Sequence, residues 1–251
     1  MHFTVLTIFP EMFDPFWGHG IVRRAIENKK IFASAVNIRN YAEDRHQVTD
    51  DRPYGGGSGM VMKPEPLAAA IRDANNTLHA AKTVLLTPQG RVFNQQMARE
   101  LASFEGLILV CGRYEGIDER ICHDLIDYEI SIGDYVITGG ELAGMIIIDA
   151  VTRLIPGVLG GEEAAEKDSF SAGLLEHAHY TRPRKFEGRE VPEILLSGHH
   201  QEIEKWRLES SMMRTLIKRP DLLQKKDLNR QEQAILKKWR LAIEKILKFY
   251  N

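Results

Sequence analysis

Cys111–Arg120, CGRYEGIDER, and Ser131–Glu141, SIGDYVITGGE, decide how this chain is read. An apolar run precedes each segment: LILV before the first, YEIS running into the second. Apolar runs of this length that end in glycine read as strands buried on both faces of a parallel sheet. Glycine at a strand end lets backbone approach a ligand closely. In open α/β sheets, ligands lie beyond the carboxyl ends of the strands. The two segments therefore read as two walls of one pocket.

Upstream, HFTVLTIF is a β-rich run. A helix pattern opened by Asp14 and Pro15 follows, through Ile21, Val22, Ala25 and Ile26, and ASAVNIRNY gives a second strand. From Glu43 to Met62 the chain is charged and then glycine-rich, which predicts a long mobile loop acting as a lid. KPEPLAAAIRDAN is a helix entered through prolines. KTVLLT is a strand ended by PQG, and NQQMARELASF is a helix capped by Asn94. ELAGMIIIDAVTRLI is apolar nearly all round, so it is buried in the core or in a subunit interface. Strand-end loops at 87–91, 111–116 and 132–140 offer free backbone N–H and C=O groups, and together point to a small-molecule site.

Charge divides the chain. Residues 1–172 hold 16 Lys and Arg against 24 Asp and Glu, whereas residues 173–251 hold 17 against 11. A basic C-terminal part suggests that a polyanion meets it, with a solvated helical surface as the plainer alternative. HHQEIEKWRLESSMMRTLIKRP is an amphipathic helix stopped by Pro220. NRQEQAILKKWRLAIEKILKFY is a second, with Ile235, Trp239, Ala242, Ile246 and Phe249 on one stripe. The expected divisions are 1–160, a Pro/Gly-bounded linker at 161–172, and a small helical domain at 173–251.

Two cysteines, Cys111 and Cys122, make neither a disulfide framework nor a metal pattern. That fits a reducing, cytoplasmic setting, and no apolar run is long enough to span a bilayer. No dinucleotide fingerprint, P-loop, H-E-x-x-H or nucleophile elbow is present. His177-x-His179 and His199-His200 lack further ligands, so no metal site is assigned.

PQG, CGRYEGIDER, SIGDYVITGGEL, RLIPGVLG, DSF, HYTRP, VPEILLSG and the early DRPYGGGSGM resemble the bacterial tRNA (guanine-N1)-methyltransferases, the TrmD family. The likeness runs the length of the chain, in order. It implies a SPOUT-type, Rossmann-like α/β parallel sheet with a C-terminal trefoil knot, plus a small all-α C-terminal domain. It also implies a homodimer with its active site formed across the interface, tRNA as partner rather than DNA or membrane, and S-adenosylmethionine as methyl donor. The implied product is N1-methylguanosine immediately 3′ of the anticodon. Mg²⁺ dependence is a family expectation without a dedicated site here. Generic topology rules argue against knots, so the knot rests on resemblance.

Carried over residue by residue, the donor pocket comprises Leu86, Thr87, Pro88, Gln89 and Gly90; Gly112, Arg113, Tyr114 and Glu115; and Ile132, Gly133, Asp134, Tyr135, Val136, Ile137, Thr138, Gly139 and Gly140. The resemblance makes Asp168 the general base and Arg153 its electrostatic partner. Taken alone, Asp168 reads as the cap of a short turn, and Asp149 with Arg153 as a helix-surface ion pair. Expected tRNA contacts are His46, Asp50, Arg52, Gly55, Gly59, His179, Arg182 and Arg184. Ser58, Thr138 and Ala143–Gly144 depart from the common family pattern. The alternative function is a non-catalytic RNA-binding protein with a nucleoside-sensing pocket.

Overall fold

The computed structural model describes residues 1–161 and 164–250. Compactness divides the chain into two units, Met1–Glu162 and Glu163–Asn251. Residues 164–172, expected as part of a linker, thus group with the second unit.

The first unit is a five-stranded parallel sheet. Its strands are β1 (His2–Thr7), β2 (Phe32–Asn37), β3 (Ala81–Val92), β4 (Gly106–Cys111) and β5 (Tyr128–Ser131), in the order β2-β1-β4-β3-β5. Every residue of β4 is buried, as an apolar run without alternation requires of a central strand. Alternate side chains feed two clusters. Leu107, Leu109 and Cys111 join Phe3, Val5, Val84 and Leu86 on one face. Ile108 and Val110 join Leu6, Leu85 and Ile8 on the other.

Helices cover both faces. α1 (Gly20–Glu27) contributes Val22 and Ala25 to the first cluster. α2 (Pro64–Thr77) gives Leu67, Ala70 and Ile71 to the second, with α4 (Glu119–Leu125) adding Ile121. α3 (Gln95–Ala102) and α5 (Glu141–Thr152) close the first face through Met97, Leu101, Ile147, Ile148 and Val151. Asn94 does cap α3, its side chain accepting from Met97 N–H at 2.9 Å. Each fully buried Leu, Ile or Val contributes about 1.5–3 kcal/mol relative to exposure.

Three local expectations change. The helix expected from Asp14 through Ile26 is two pieces, Asp14–Trp17 and Gly20–Glu27, because Gly20 sits at φ 65° and turns the chain between them. The stretch 43–62 is not a plain loop: Asp50–Asp51 pairs antiparallel with Val61–Met62. PQG does not end β3. Leu86 and Arg91 both pair with Ile130, so residues 87–90 leave the sheet and the strand resumes through Val92. Gly90 permits the return, since a Cβ there would come 2.3 Å from the Glu129 carbonyl carbon.

The second unit is mostly helical, with α6 (His200–Lys218), α7 (Pro220–Lys225) and α8 (Arg230–Tyr250), but it is not all-α as expected: Lys185–Phe186 pairs antiparallel with Arg189–Glu190. Its fully buried apolar content is small, centred on Met212 and Leu174. Polar ties secure it instead. Leu175 N–H donates to Thr215 Oγ1 at 2.9 Å, Ala178 N–H to Ser210 Oγ at 3.0 Å, and Arg214 Nε to the Glu176 carbonyl at 3.1 Å. α8 opens on a capping box: Asn229 Oδ1 accepts from Glu232 N–H, and the Glu232 carboxylate accepts from Asn229 N–H. The stripe expected to be apolar-inward is only partly so. Ile235 and Trp239 are half-buried, whereas Ala242 and Ile246 are exposed; the Phe249 side chain lies outside those described.

Candidate methyl-donor and tRNA site

The carboxyl ends of β4, β3 and β5 are neighbours in the sheet, so the loops that follow or interrupt them share one edge. They enclose a cavity of about 350 Å³, within the range of small-ligand sites. Sixteen of the expected donor residues line it: Leu86–Gln89, Gly112–Glu115, Ile132, Gly133 and Tyr135–Gly140. Two do not. Asp134 is outside the lining, and Gly90 packs against the β5 backbone instead. The lining also includes Gly116, Ile117, Glu119 and Ser131, which lie within the two glycine-bearing segments but were not assigned to the donor, and Leu85, Cys122, Glu129, Ile130 and Ala143, which lie outside them.

Backbone contacts brace the two glycine walls against each other. Arg113 and Gly139 form an isolated antiparallel bridge, and Gly140 N–H donates to the Gly112 carbonyl at 2.9 Å. A Cβ at Gly140 would lie 2.7 Å from Cys111 Cα, so glycine there is a condition of wall closure. Tyr114 holds φ 60°, a left-handed conformation rare outside glycine. Burial, followed by the nearby Asp50 carboxylate and a hydrogen bond to it, raises the Tyr114 phenol above its ordinary range. Burial also pushes the Cys122 thiol up to about 11. Cys111 is held well above the usual thiol range by burial, with Glu141 adding to it. Neither thiol is a ready nucleophile at neutral pH.

A charge network beneath the walls escaped the motif reading. Glu141, the first residue of α5, is 1% exposed. Its carboxylate accepts from Thr7 Oγ1 at 2.7 Å, and from Arg113 Nε at 3.1 and 3.0 Å on its two oxygens. Arg113 Nη2 lies 2.9 Å from Glu141 Oε2. The available signal was a glutamate opening a helix that is apolar nearly all round: a charge buried there must be paired.

The glycine-rich segment lies over Glu115. Gly55, Gly56, Gly57 and Gly59 all have positive φ. Glu115 N–H donates to the Met60 carbonyl at 3.0 Å, and a Cβ at Gly59 would fall 2.3 Å from Glu115 Oε1. Of the expected tRNA contacts, Asp50 meets Tyr114 and Gly59 meets Glu115, while His46, Arg52 and Gly55 are exposed. His179, Arg182 and Arg184 are exposed in the second unit, with Arg184 Nη2 4.0 Å from Glu193 Oε1. Arg153 is half-buried and caps the C-terminus of α5. Asp168 is half-buried in the second unit, where its carbonyl accepts from Ser171 N–H at 3.2 Å. Among the described residues, no group of three or more His, Cys, Asp or Glu is placed to hold a metal ion.

The family model described as tRNA (Guanine-1)-methyltransferase TrmD matches residues 1–225. A curated tRNA (guanine-N(1)-)-methyltransferase from Desulfatibacillum aliphaticivorans is 56% identical, over 99% of this chain and 95% of that protein. Those from Desulfitobacterium hafniense and Staphylococcus carnosus are 53% and 50% identical. They cover 98% and 97% of this chain, and 95% and 99% of their own lengths. The braced cavity thus sits in a chain that belongs to the tRNA (guanine-1)-methyltransferase TrmD family.

Proposed function

We propose that this protein transfers a methyl group from S-adenosylmethionine to N1 of the guanine immediately 3′ of a tRNA anticodon. Support comes from family membership together with one observation: a glycine-walled cavity at adjoining strand ends. The residues present fit an adenosine-bearing donor. Loops at 86–89, 112–115 and 132–140 offer backbone groups to a base edge, and close contacts at Gly139 and Gly140 keep that wall free of side chains. Carboxylates of Glu115, Glu119 and Glu129 line the cavity and favour a cationic ligand. When bound, the donor supplies an electrophilic methyl carbon on a sulfonium.

Asp168 is the general base. Guanine N1 carries a proton and becomes nucleophilic as that proton leaves to a carboxylate. Arg153 stabilises the negative charge that then develops towards O6. The cavity walls position the donor for in-line attack, a contribution of orientation rather than bond chemistry. No step is assigned to Mg²⁺, since no described cluster fits it.

The first unit holds the donor, and the basic second unit grips tRNA phosphates through residues such as Arg182 and Arg184. The enzyme is a cytoplasmic homodimer. Leu142 and Ile146, one turn apart on α5, are 52% and 45% exposed, and Val136 is 89% exposed; a second copy would cover them. Among the described residues, no helix is long and apolar enough to cross a membrane. The loops at 111–116 and 132–140 belong to the trefoil knot of the SPOUT class, a reading supported by family membership and by their mutual bracing.

Transfer of labelled methyl to unmodified tRNA tests the function. One methyl per tRNA is expected, at guanine N1, and it disappears when that guanine is replaced by adenine. Donor binding without any transfer would favour the alternative, a nucleoside-sensing RNA-binding protein.

A further inference from the structure

We propose that Glu141 is a positioning residue for donor binding: it locks Arg113, and through it both glycine walls, into ligand-ready shape. This rests on the reading of the cavity as the donor site.

The geometry makes Glu141 a hub. Thr7 ends β1, Arg113 follows β4, Thr138 precedes α5, and Glu141 opens α5. Glu141 contacts the first two directly, through Thr7 Oγ1 and both the Nε and Nη2 of Arg113. Arg113 Nη1 reaches the Thr138 carbonyl at 3.5 Å, and its guanidinium lies 4.6 Å over the Phe9 ring. Thr7 Oγ1 also accepts from Phe9 N–H at 3.0 Å, so the strand end that carries the hydroxyl is itself held.

A side-on, two-nitrogen grip fixes the guanidinium plane as a single hydrogen bond cannot. That plane presses on the backbone of Gly139: a Cβ there would meet Arg113 Nε at 2.2 Å and Glu141 Oε2 at 2.6 Å. The pair therefore sets the course of the 132–140 wall from behind. Arg113 lines the cavity and Glu141 does not, which is the arrangement of a contacting group and the group that aims it. Glu141 is 1% exposed, and a buried charge pair broken on one side leaves the other charge uncompensated. Thr7, at the end of β1, and Arg113, in the loop after β4, hold the carboxylate from different places, so each can be removed separately.

The test uses the full-length chain, with S-adenosylhomocysteine as calorimetric probe and steady-state kinetics in donor and in tRNA. Glu141→Gln is expected to raise the probe Kd and the donor KM tenfold or more, with tRNA KM unchanged. Glu141→Asp should recover part of the loss. The double variant Glu141→Gln with Arg113→Gln should bind no worse than the poorer single variant, because both disrupt one unit. A folded Glu141→Gln with probe Kd within twofold of wild type overturns the proposal. So does a loss shared equally by tRNA KM, which a general structural defect would give. If Glu141→Gln does not fold, Thr7→Val decides: a threefold or greater rise in probe Kd at steady tRNA KM supports the role, and an unchanged Kd overturns it. Failure of the wild-type chain to bind the probe would instead sink the donor reading itself.

Discussion

The sheet unit and the helical unit of this protein are held together by different means. In the first, β4 is buried along its whole length and supplies side chains to clusters on both faces. In the second, Met212 and Leu174 are the buried apolar residues among those described, and the segment 174–178 is tied down by hydrogen bonds to Thr215, Ser210 and Arg214. The first arrangement suits a cavity whose walls must hold their shape within tenths of an ångström. The second leaves surface for arginines and lysines, which suits a long, charged ligand read through its backbone. On the proposed function, a rigid small-molecule site and a polar gripping surface would have separate scaffolds.

Separate scaffolds imply separable losses. The largest effect is expected from Asp168→Ala, which should lower methyl transfer by about 10²–10⁴-fold, the usual range for a general base, while calorimetry finds donor affinity unchanged. Equal loss of donor binding would break the division. Next, Leu109→Ala should cost about 2–5 kcal/mol in urea unfolding followed by far-ultraviolet circular dichroism, as buried leucine truncations do. Its effect should fall on donor binding before tRNA binding. Arg182→Ala and Arg184→Ala should each weaken tRNA binding about uniformly across sequences and reduce the salt slope by about 1, leaving donor KM intact. The smallest effect concerns Cys122. Burial raises its thiol to about 11, so the reactive thiolate is scarce below that value and grows as pH rises through it. Iodoacetamide labelling followed by mass spectrometry should be slow at pH 7.5 and quicken towards pH 10.5, with bound donor slowing it further.

Much of the first unit was legible because its physics is periodic. LILV and VLLT could only be buried strands, and Asn94 could be recognised as a helix cap from its place alone. What escaped was set by contacts distant in sequence. PQG looks like a strand terminator until Ile130 is seen to accept both Leu86 and Arg91. Gly20 split a helix through a backbone conformation that apolar spacing does not encode. Asp50–Asp51 found a ladder partner in Val61–Met62 that polar composition hid. Glu141 was given no role of its own, since its partners lie 134 and 28 residues away. On α8, period alone predicted a buried stripe. Whether Ile246 is covered depends on what packs there, and that is not a property of the helix.

The excursion at 87–90 has a consequence for change over time. Its two ends share one partner residue on β5, so the sheet itself closes this loop. Lengthening it would cost little beyond the entropy of a longer ring, roughly 0.6 kcal/mol for each doubling. The footing at Leu86 and Arg91 would be undisturbed. Short of Gly90, which the return to the sheet requires, this wall of the pocket is therefore a replaceable part: its length and chemistry can be exchanged while the frame around it stays the same.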